Sequence, residues 1–264
     1  MRVGRSSICQ MPSAFGGALA LAMSLTLAAC GNEAPLDQNQ GATHGQGQSQ
    51  GEGHSSSVSL ANAEIPIMGP EKNILAFGDS LFAGYNVDPK DSYPAKLQNA
   101  LRAKGINAQV SNAGVSGDTS AAGLQRFEFT LNGQDHTPDL LILELGGNDL
   151  LRQISPEQTR ANLAAMIEAA QERGMNVLLM GMRAPPNYGP EYQADFDSIY
   201  PDLAAEYGAA LIPFWVEPVA AQPDLIQQDR IHPTADGIEV LVADTLDEVM
   251  AAIPEDTGAS LGSH

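Results

Sequence analysis

The sequence predicts an α/β domain in which a five-stranded parallel sheet lies between two layers of helices. From residue 73 onward, short apolar runs of strand length alternate with longer segments whose apolar residues recur at helical spacing. Strands separated by helices of this length form right-handed βαβ crossovers, which make the strands parallel and cover both faces of the sheet. Roughly 185 residues suit a single hydrophobic core, so one such domain is expected.

Five short runs have the length and composition of strands. They are Ile-Leu-Ala-Phe at 74–77, Ala-Gln-Val-Ser at 108–111, a leucine-rich run at 140–145, Val-Leu-Leu-Met at 177–180 and Ala-Leu-Ile-Pro at 210–213. Helical periodicity follows these runs in turn, through residues 93–104, 119–129, 156–173, 191–207 and 234–252. Strand and helix therefore alternate along the domain, and no internal repeat is visible.

Residues 1–29 are predicted to be an export signal of the lipoprotein type. Two arginines near the start provide a positive region, and the apolar stretch at 14–27 is too short to span a membrane. The following Leu-Ala-Ala-Cys at 27–30 resembles a lipobox, which makes Cys30 the expected lipidation site. The alternative is an ordinary signal that is cleaved after Ala28 or Ala29, in which case Cys30 has no special role.

Three segments complete the predicted organisation. Residues 30–70 form a tether rich in Gly, Gln and Ser, which has too few apolar residues to offset the entropy of ordering. The folded domain is expected at 71–254 and a flexible tail at 255–264. Removal of the signal leaves Cys30 as the single cysteine, so the domain has no disulfide, no thiol nucleophile and no cysteine metal ligand.

The charge of the chain excludes several partners. Its formal net charge is −19, which repels nucleic acid and anionic membrane surfaces. Contact with a bilayer is expected only through the lipid on Cys30. These features predict an exported bacterial lipoprotein, either periplasmic or anchored at the outer membrane.

Two polar clusters follow the first two predicted strands, at the sheet edge where functional groups gather in parallel sheets. In Phe-Gly-Asp-Ser-Leu at 77–81, the glycine permits a tight turn and Ser80 stands at a helix start with its hydroxyl exposed. A plain helix N-cap is the alternative role for Ser80. In the cluster at 112–119, Gly117 offers a backbone N–H to an oxyanion. A nucleotide role competes there, but no dinucleotide fingerprint or Walker A motif is present.

Two further clusters follow later strands. In Leu-Gly-Gly-Asn-Asp at 145–149, the glycines allow close approach of a ligand and Asn148 offers an amide donor, with a plain turn as the alternative. Asp229 and His232 lie three residues apart on a turn, so the carboxylate can accept the imidazole Nδ1–H and leave Nε2 free to take a proton from a serine. His136, the other histidine within the domain, has no comparable carboxylate beside it.

The four clusters, in this order, resemble the four sequence blocks of the SGNH (GDSL-type) hydrolases. The resemblance covers about residues 73–253 and implies the flavodoxin-like fold of that family. Further stretches are similar to the branch that contains bacterial arylesterases and thioesterase I/lysophospholipase L1; they lie at 112–120, 143–152, 186–189 with 199–201, and 211–214.

The resemblance also implies roles for individual residues. Ser80 would be the nucleophile, His232 the general base and then acid, and Asp229 the group that orients His232. The implied oxyanion hole consists of the backbone amides of Ser80 and Gly117 and the side-chain amide of Asn148. None of these blocks is missing from the sequence.

The expected activity is hydrolysis of short- to medium-chain carboxylic esters, aryl esters included, with thioesterase and lysophospholipase side activities. Export weighs against acyl-CoA as the natural substrate. An O-acetyl esterase acting on sugars or cell-wall polymers is the second possibility, and a tethered solute-binding lipoprotein is the non-enzymatic one. Leu81, Leu150 and Tyr188 are expected to line the acyl pocket. No cofactor, metal or protein partner is expected.

Overall fold

The computed structural model describes residues 69–255, which form a three-layer α/β/α domain around a five-stranded parallel sheet. The fold class predicted from the sequence is therefore confirmed. The predicted signal at 1–29, the predicted lipidation site Cys30, nearly all of the tether and the tail beyond residue 255 lie outside the described residues. Within the part of the chain that the structure describes, no helix has the length and apolar character needed to cross a bilayer.

The sheet has the order β2-β1-β3-β4-β5, and all neighbouring strands are parallel. The strands are β1 (Lys72–Gly78), β2 (Ala108–Gly114), β3 (Leu140–Glu144), β4 (Asn176–Met180) and β5 (Ala210–Ile212). The chain moves from β1 to β2 on one side and then returns to β3 on the other side. The order thus reverses at β1, and ligands of open α/β sheets bind at such a switch point.

The described helices are α1 (Ser80–Ala83), α2 (Tyr93–Ala103), α3 (Ser120–Asn132), α4 (Gly147–Leu151), α5 (Pro156–Gln171), α6 (Pro190–Tyr207), α7 (Glu217–Ala220) and α8 (Ala235–Ala252). The five long helices match the predicted periodic segments to within a few residues. The sequence did not predict α1, α4 and α7, because four or five residues are too few to show a helical period.

Alternation along β1 divides the core between the two faces of the sheet. Ile74 and Ala76 belong to the apolar cluster that includes residues of α2 and α8, whereas Leu75 and Phe77 belong to the cluster that includes residues of α3, α5 and α6. All four side chains are buried. Successive side chains of a strand point to opposite faces, so an entirely apolar strand is what a sheet covered on both faces requires.

Close packing brings α1 against the end of β2. A Cβ atom at Gly114, the last residue of β2, would collide with the backbone of Phe82 and Ala83. The absence of a side chain at this position therefore lets the turn after β1 lie directly beside the end of β2. This places the start of α1 at the carboxyl edge of the sheet, next to the loops that follow β2 and β3.

Candidate active site

Ser80 begins α1 immediately after β1, with its side chain only half-buried. The residue before it, Asp79, is the N-cap of α1, and its Oδ1 accepts the Leu81 N–H at 3.0 Å. The N-cap role that competed for Ser80 thus belongs to Asp79. As the first helical residue, Ser80 has a backbone N–H with no partner inside the helix.

His232 and Asp229 lie in the loop before α8, and the structure brings them to Ser80. His232 Nδ1 is 2.7 Å from Asp229 Oδ2, and His232 Nε2 is 2.8 Å from Ser80 Oγ. Because Asp229 accepts at Nδ1, that nitrogen carries the proton and the Nε2 lone pair faces the serine hydroxyl. The three side chains therefore form one chain of hydrogen bonds that leads from a carboxylate to a hydroxyl.

The loop itself holds the Asp229 carboxylate in place. Its Oδ1 accepts the backbone N–H groups of Ile231 at 3.0 Å and His232 at 3.1 Å. The hydrogen bond from the Ile231 N–H has the largest effect on the pKa of Asp229, followed by the bond from the His232 side chain. Together with the bond from the His232 N–H, they lower this pKa to about 2. Asp229 is therefore ionised at any ordinary pH. The intervening Arg230 has φ of +62°, a left-handed conformation that the tight turn requires.

The oxyanion-hole residues predicted from the sequence lie beside Ser80. Asn148 is in the first turn of α4, and its Nδ2 donates one hydrogen to Asp79 Oδ2 at 2.9 Å, which leaves the second amide hydrogen for another acceptor. Gly117 lines the same cavity with φ of +87°. Among residues 69–255, the Gly117 N–H donates to no other group.

Buried polar contacts position α4 and the Gly117 loop. The Asp149 carboxylate, fully buried, accepts the Ser120 N–H at 2.7 Å and hydroxyl at 2.5 Å, and the Thr159 hydroxyl at 3.1 Å. It thereby joins α4 to α3 and α5. Arg152, at the end of α4, donates to the Gly117 carbonyl at 2.9 Å. These contacts connect the loop after β2 to the loop after β3, which carry two of the three donors.

A cavity of about 470 Å³ opens over these groups. Leu81 and Leu150 line it, as the sequence predicts, but Tyr188 does not. The 3-10 turn Pro186–Tyr188 directs the Tyr188 ring toward α6, where it lies 5.5 Å from the Tyr192 ring. The prediction for Tyr188 is therefore corrected: the residue packs against the apolar cluster that includes residues of α3, α5 and α6, and it does not line the pocket.

Several wall residues were not predicted from the sequence, because they come from separate loops. The loop after β4 adds Met182 and Arg183, the loop after β5 adds Phe214 and Val216, and the loop after α1 adds Tyr85, whose ring centre lies 4.3 Å from that of His232. The walls are mainly apolar.

His136, in contrast, lines a separate polar cavity beside Glu71 and Asn73, near the start of β1.

This arrangement determines the kinds of chemistry that the site can perform. An ionised carboxylate, an imidazole and a hydroxyl in hydrogen-bonded series, next to N–H donors at the carboxyl edge of a parallel sheet, define the serine hydrolases that work through an acyl-enzyme. Within residues 69–255, no group of three or more His, Cys, Asp or Glu side chains is arranged to hold a metal ion.

The chain belongs to the GDSL-like Lipase/Acylhydrolase family, whose model matches residues 76–240. It is 41% identical over 162 residues to the arylesterase of Vibrio mimicus, and the match covers 61% of this chain and 80% of the relative. It is 40% identical over 163 residues to thioesterase 1/protease 1/lysophospholipase L1 of Escherichia coli, and this match covers 62% of this chain and 76% of the relative. The protein is accordingly a carboxylic ester hydrolase.

Solved structures are similar as well. The SGNH-hydrolase family esterase AlinE4 is 59% identical, with a TM-score of 0.60, and the match covers 71% of this chain and all of that one. Two further structures of that esterase carry single alanine substitutions, one at a serine and one at an aspartate. Those two positions are separated by the same number of residues as Ser80 and Asp229.

Proposed function

We propose that this esterase hydrolyses short- to medium-chain carboxylic esters, aryl esters included, with Ser80 as its nucleophile. The observation that carries the proposal is the unbroken chain of hydrogen bonds from Asp229 through His232 to Ser80, with both links to the imidazole shorter than 3 Å. The serine and aspartate replaced in the AlinE4 structures have the same spacing as Ser80 and Asp229, which supports these assignments.

The proposed mechanism has two steps that use the same groups. Ser80 Oγ bonds to the acyl carbon while its proton passes to His232 Nε2, and the alcohol then departs with that proton. Water attacks the acyl-enzyme next, His232 takes a proton from the water and returns it to Ser80, and the carboxylic acid is released. Asp229 keeps its charge throughout and stabilises the imidazolium.

Three donors meet the negative charge that develops on the carbonyl oxygen. They are the backbone N–H groups of Ser80 and Gly117 and the free amide hydrogen of Asn148. Preorganised donors of this kind commonly contribute more to an enzyme's rate than any other single effect, because they need no reorganisation during the reaction. The bond from Asn148 to Asp79 is what holds the amide in this orientation before substrate arrives.

The walls of the cavity favour an acyl or aryl group over a sugar. Leu81, Leu150, Met182, Phe214 and Val216 supply apolar surface next to Ser80. An O-acetylated sugar would place several hydroxyls against these walls without hydrogen-bond partners, which is costly. Thioesterase and lysophospholipase activities are proposed as side activities, in line with the named Escherichia coli relative.

Activity toward a chain-length series of nitrophenyl esters is expected to test the substrate class. Burial of each methylene contributes about 0.8 kcal/mol, so kcat/KM should rise by about fourfold per methylene until the cavity is filled, and then fall. An O-acetylated xyloside and a lysophospholipid serve as comparison substrates, and Ser80→Ala is the blank. A flat chain-length profile, or faster deacetylation of the xyloside than of any nitrophenyl ester, would overturn the proposed substrate class.

We also propose that the protein is exported and anchored by a lipid on Cys30, because the Leu-Ala-Ala-Cys at 27–30 follows a short apolar stretch with arginines before it. Expression of the full chain in a Gram-negative host should yield a mature N-terminus at Cys30 bearing diacylglycerol, measured by mass spectrometry. The control Cys30→Ser should lose the lipid. An unmodified N-terminus in the unsubstituted protein would refute the anchor while leaving the esterase proposal untouched.

A further inference from the structure

A buried carboxyl group lies directly beneath the nucleophile turn and has no part in the mechanism above. Glu144, the last residue of β3, has no exposed surface. Its Oε2 accepts the Asp79 N–H at 3.1 Å, and its Oε1 has no hydrogen-bond partner among the described residues. A Cβ atom at Gly78 would lie 2.7 Å from Oε2, so the glycine before Asp79 leaves the room that this carboxyl group occupies.

The carboxyl groups of Glu144 and Asp79 are both almost fully buried, and they lie close enough for each to shift the pKa of the other. Two adjacent buried carboxyl groups cannot both be ionised at modest cost, so one of them keeps a proton. Among the described residues, Asp79 accepts the N–H of Leu81 and the amide of Asn148, whereas Glu144 accepts only the Asp79 N–H. The charge therefore belongs on Asp79 and the proton on Glu144.

We propose that Glu144 is a positioning residue for the oxyanion hole: it remains protonated, donates that proton to Asp79, and so fixes the carboxylate that aims the Asn148 amide. The proposal rests on the function proposed for Asn148. In this arrangement the otherwise unpartnered Oε1 is the oxygen that bears the proton. Glu144 does not touch substrate, and it acts through two hydrogen bonds in series.

The surroundings of the pair favour a proton on Glu144. Burial, and then the charge of Asp79, raise the pKa of Glu144 well above its usual range. Burial also raises the pKa of Asp79, but the bonds from Leu81 and Asn148 oppose that effect. The other ionisable groups that face the pair are Tyr200 from α6, whose hydroxyl donates to the Leu145 carbonyl at 2.8 Å, and His232 opposite Asp79.

Loss of the Glu144 donor should reduce the stabilisation of the transition state more than it reduces the affinity for substrate. Without it, Asp79 is free to turn toward other donors, and the second amide hydrogen of Asn148 is no longer held toward the oxyanion. Glu144→Leu is therefore expected to lower kcat by about 10-fold to 100-fold, a part of the roughly 10²–10³-fold cost of losing one oxyanion-hole donor, with little change in KM.

A kinetic double-mutant cycle tests whether Glu144 acts through Asn148. In an Asn148→Ala background, Glu144→Leu should cost less than about threefold, because the group that it positions is already absent. Glu144→Gln should keep kcat within about threefold of wild type, since its amide can donate to Asp79 and its carbonyl can accept the Asp79 N–H. Equal losses for Glu144→Leu in both backgrounds, or a Gln variant as poor as the Leu variant, would overturn the proposal.

Stability as a function of pH tests the proton without any use of activity. In the unfolded chain Glu144 ionises near its ordinary pKa of about 4.3, whereas the folded protein keeps the proton, so the folded state loses stability as pH rises above that value. Glu144→Gln removes this loss. The melting temperature of the Gln variant relative to wild type should therefore increase as pH rises above about 5, and it should level off once pH passes the raised pKa of Glu144 in the folded protein.

The exposed Glu172→Gln is the matched control for this measurement, and its difference from wild type should be small at every pH. A pH-independent difference for Glu144→Gln would show that Glu144 is ionised in the folded protein, and would overturn the proposal even if Glu144→Leu failed to fold. Wild-type kcat in Asn148→Ala would instead refute the proposed oxyanion hole, and the stability result for Glu144 would remain interpretable.

Discussion

Ser80→Ala is expected to lower kcat for a nitrophenyl ester by about 10⁶-fold, and His232→Ala by a similar factor. The Ser80 hydroxyl and His232 Nε2 are 2.8 Å apart and share one proton-transfer step, so removal of either group disables the same step. The double variant should consequently cost little more than either single variant. Single-turnover and steady-state kinetics of the three proteins measure this directly.

His136→Ala is the matched control for this experiment, because His136 lines a different cavity and should leave kcat nearly unchanged. Folding of each variant is checked by its melting temperature. Additive losses for Ser80 and His232 would mean that the two side chains act independently. An active Ser80→Ala protein would refute Ser80 as the nucleophile.

Asp229→Asn should lower kcat by about 10⁴-fold, although it changes only one atom of the side chain. The Asn carbonyl oxygen would take the place of Oδ1, where it accepts the N–H groups of Ile231 and His232. The NH₂ group must then face His232 Nδ1 and donate to it, which moves the imidazole proton to Nε2. An imidazole in that tautomer cannot accept the proton of Ser80.

Titration of Asp229 itself should contribute nothing to this loss between about pH 5 and about pH 9. The pKa of Asp229 is lowered to about 2, so its charge is fully present over this range and is lost only as pH falls toward that value. Asp224→Asn, an exposed aspartate nearby in sequence, is the control and should behave as wild type. If Asp229→Asn recovered full activity at any pH in this range, the proposed orienting role of Asp229 would be wrong.

Much of the fold could be predicted because the local spacing of apolar residues along the chain indicates which segments form strands and which form helices. The leucine-rich and wholly apolar runs became β1, β3 and β4, and the five long helices appeared where the helical period was visible. Asp229 and His232 could be paired from sequence for a similar reason: they are three residues apart on a single turn, so their contact needs little of the tertiary structure.

Other features depended on which loops meet at the edge of the sheet. The prediction that Leu81, Leu150 and Tyr188 line the pocket missed the wall supplied by Phe214 and Val216, because the position of β5 beside β4 becomes known only from the sheet order. It also placed Tyr188 in the pocket, because a sequence does not state in which direction a 3-10 turn points its side chain.

The sequence by itself therefore determined the class of fold, the order of the elements and the residue types that meet at the carboxyl edge of the sheet. The tertiary structure alone decided which of the two buried carboxyl groups beneath that edge, Asp79 or Glu144, carries the charge. Glu144 lies in a leucine-rich run, where an acidic residue is unexpected, so the sequence alone marks it as unusual. Its role, however, depends on its contact with Asp79, which lies 65 residues earlier in the chain. Burial and the number of donors around each oxygen decide where a proton resides, and both arise only when distant segments pack together.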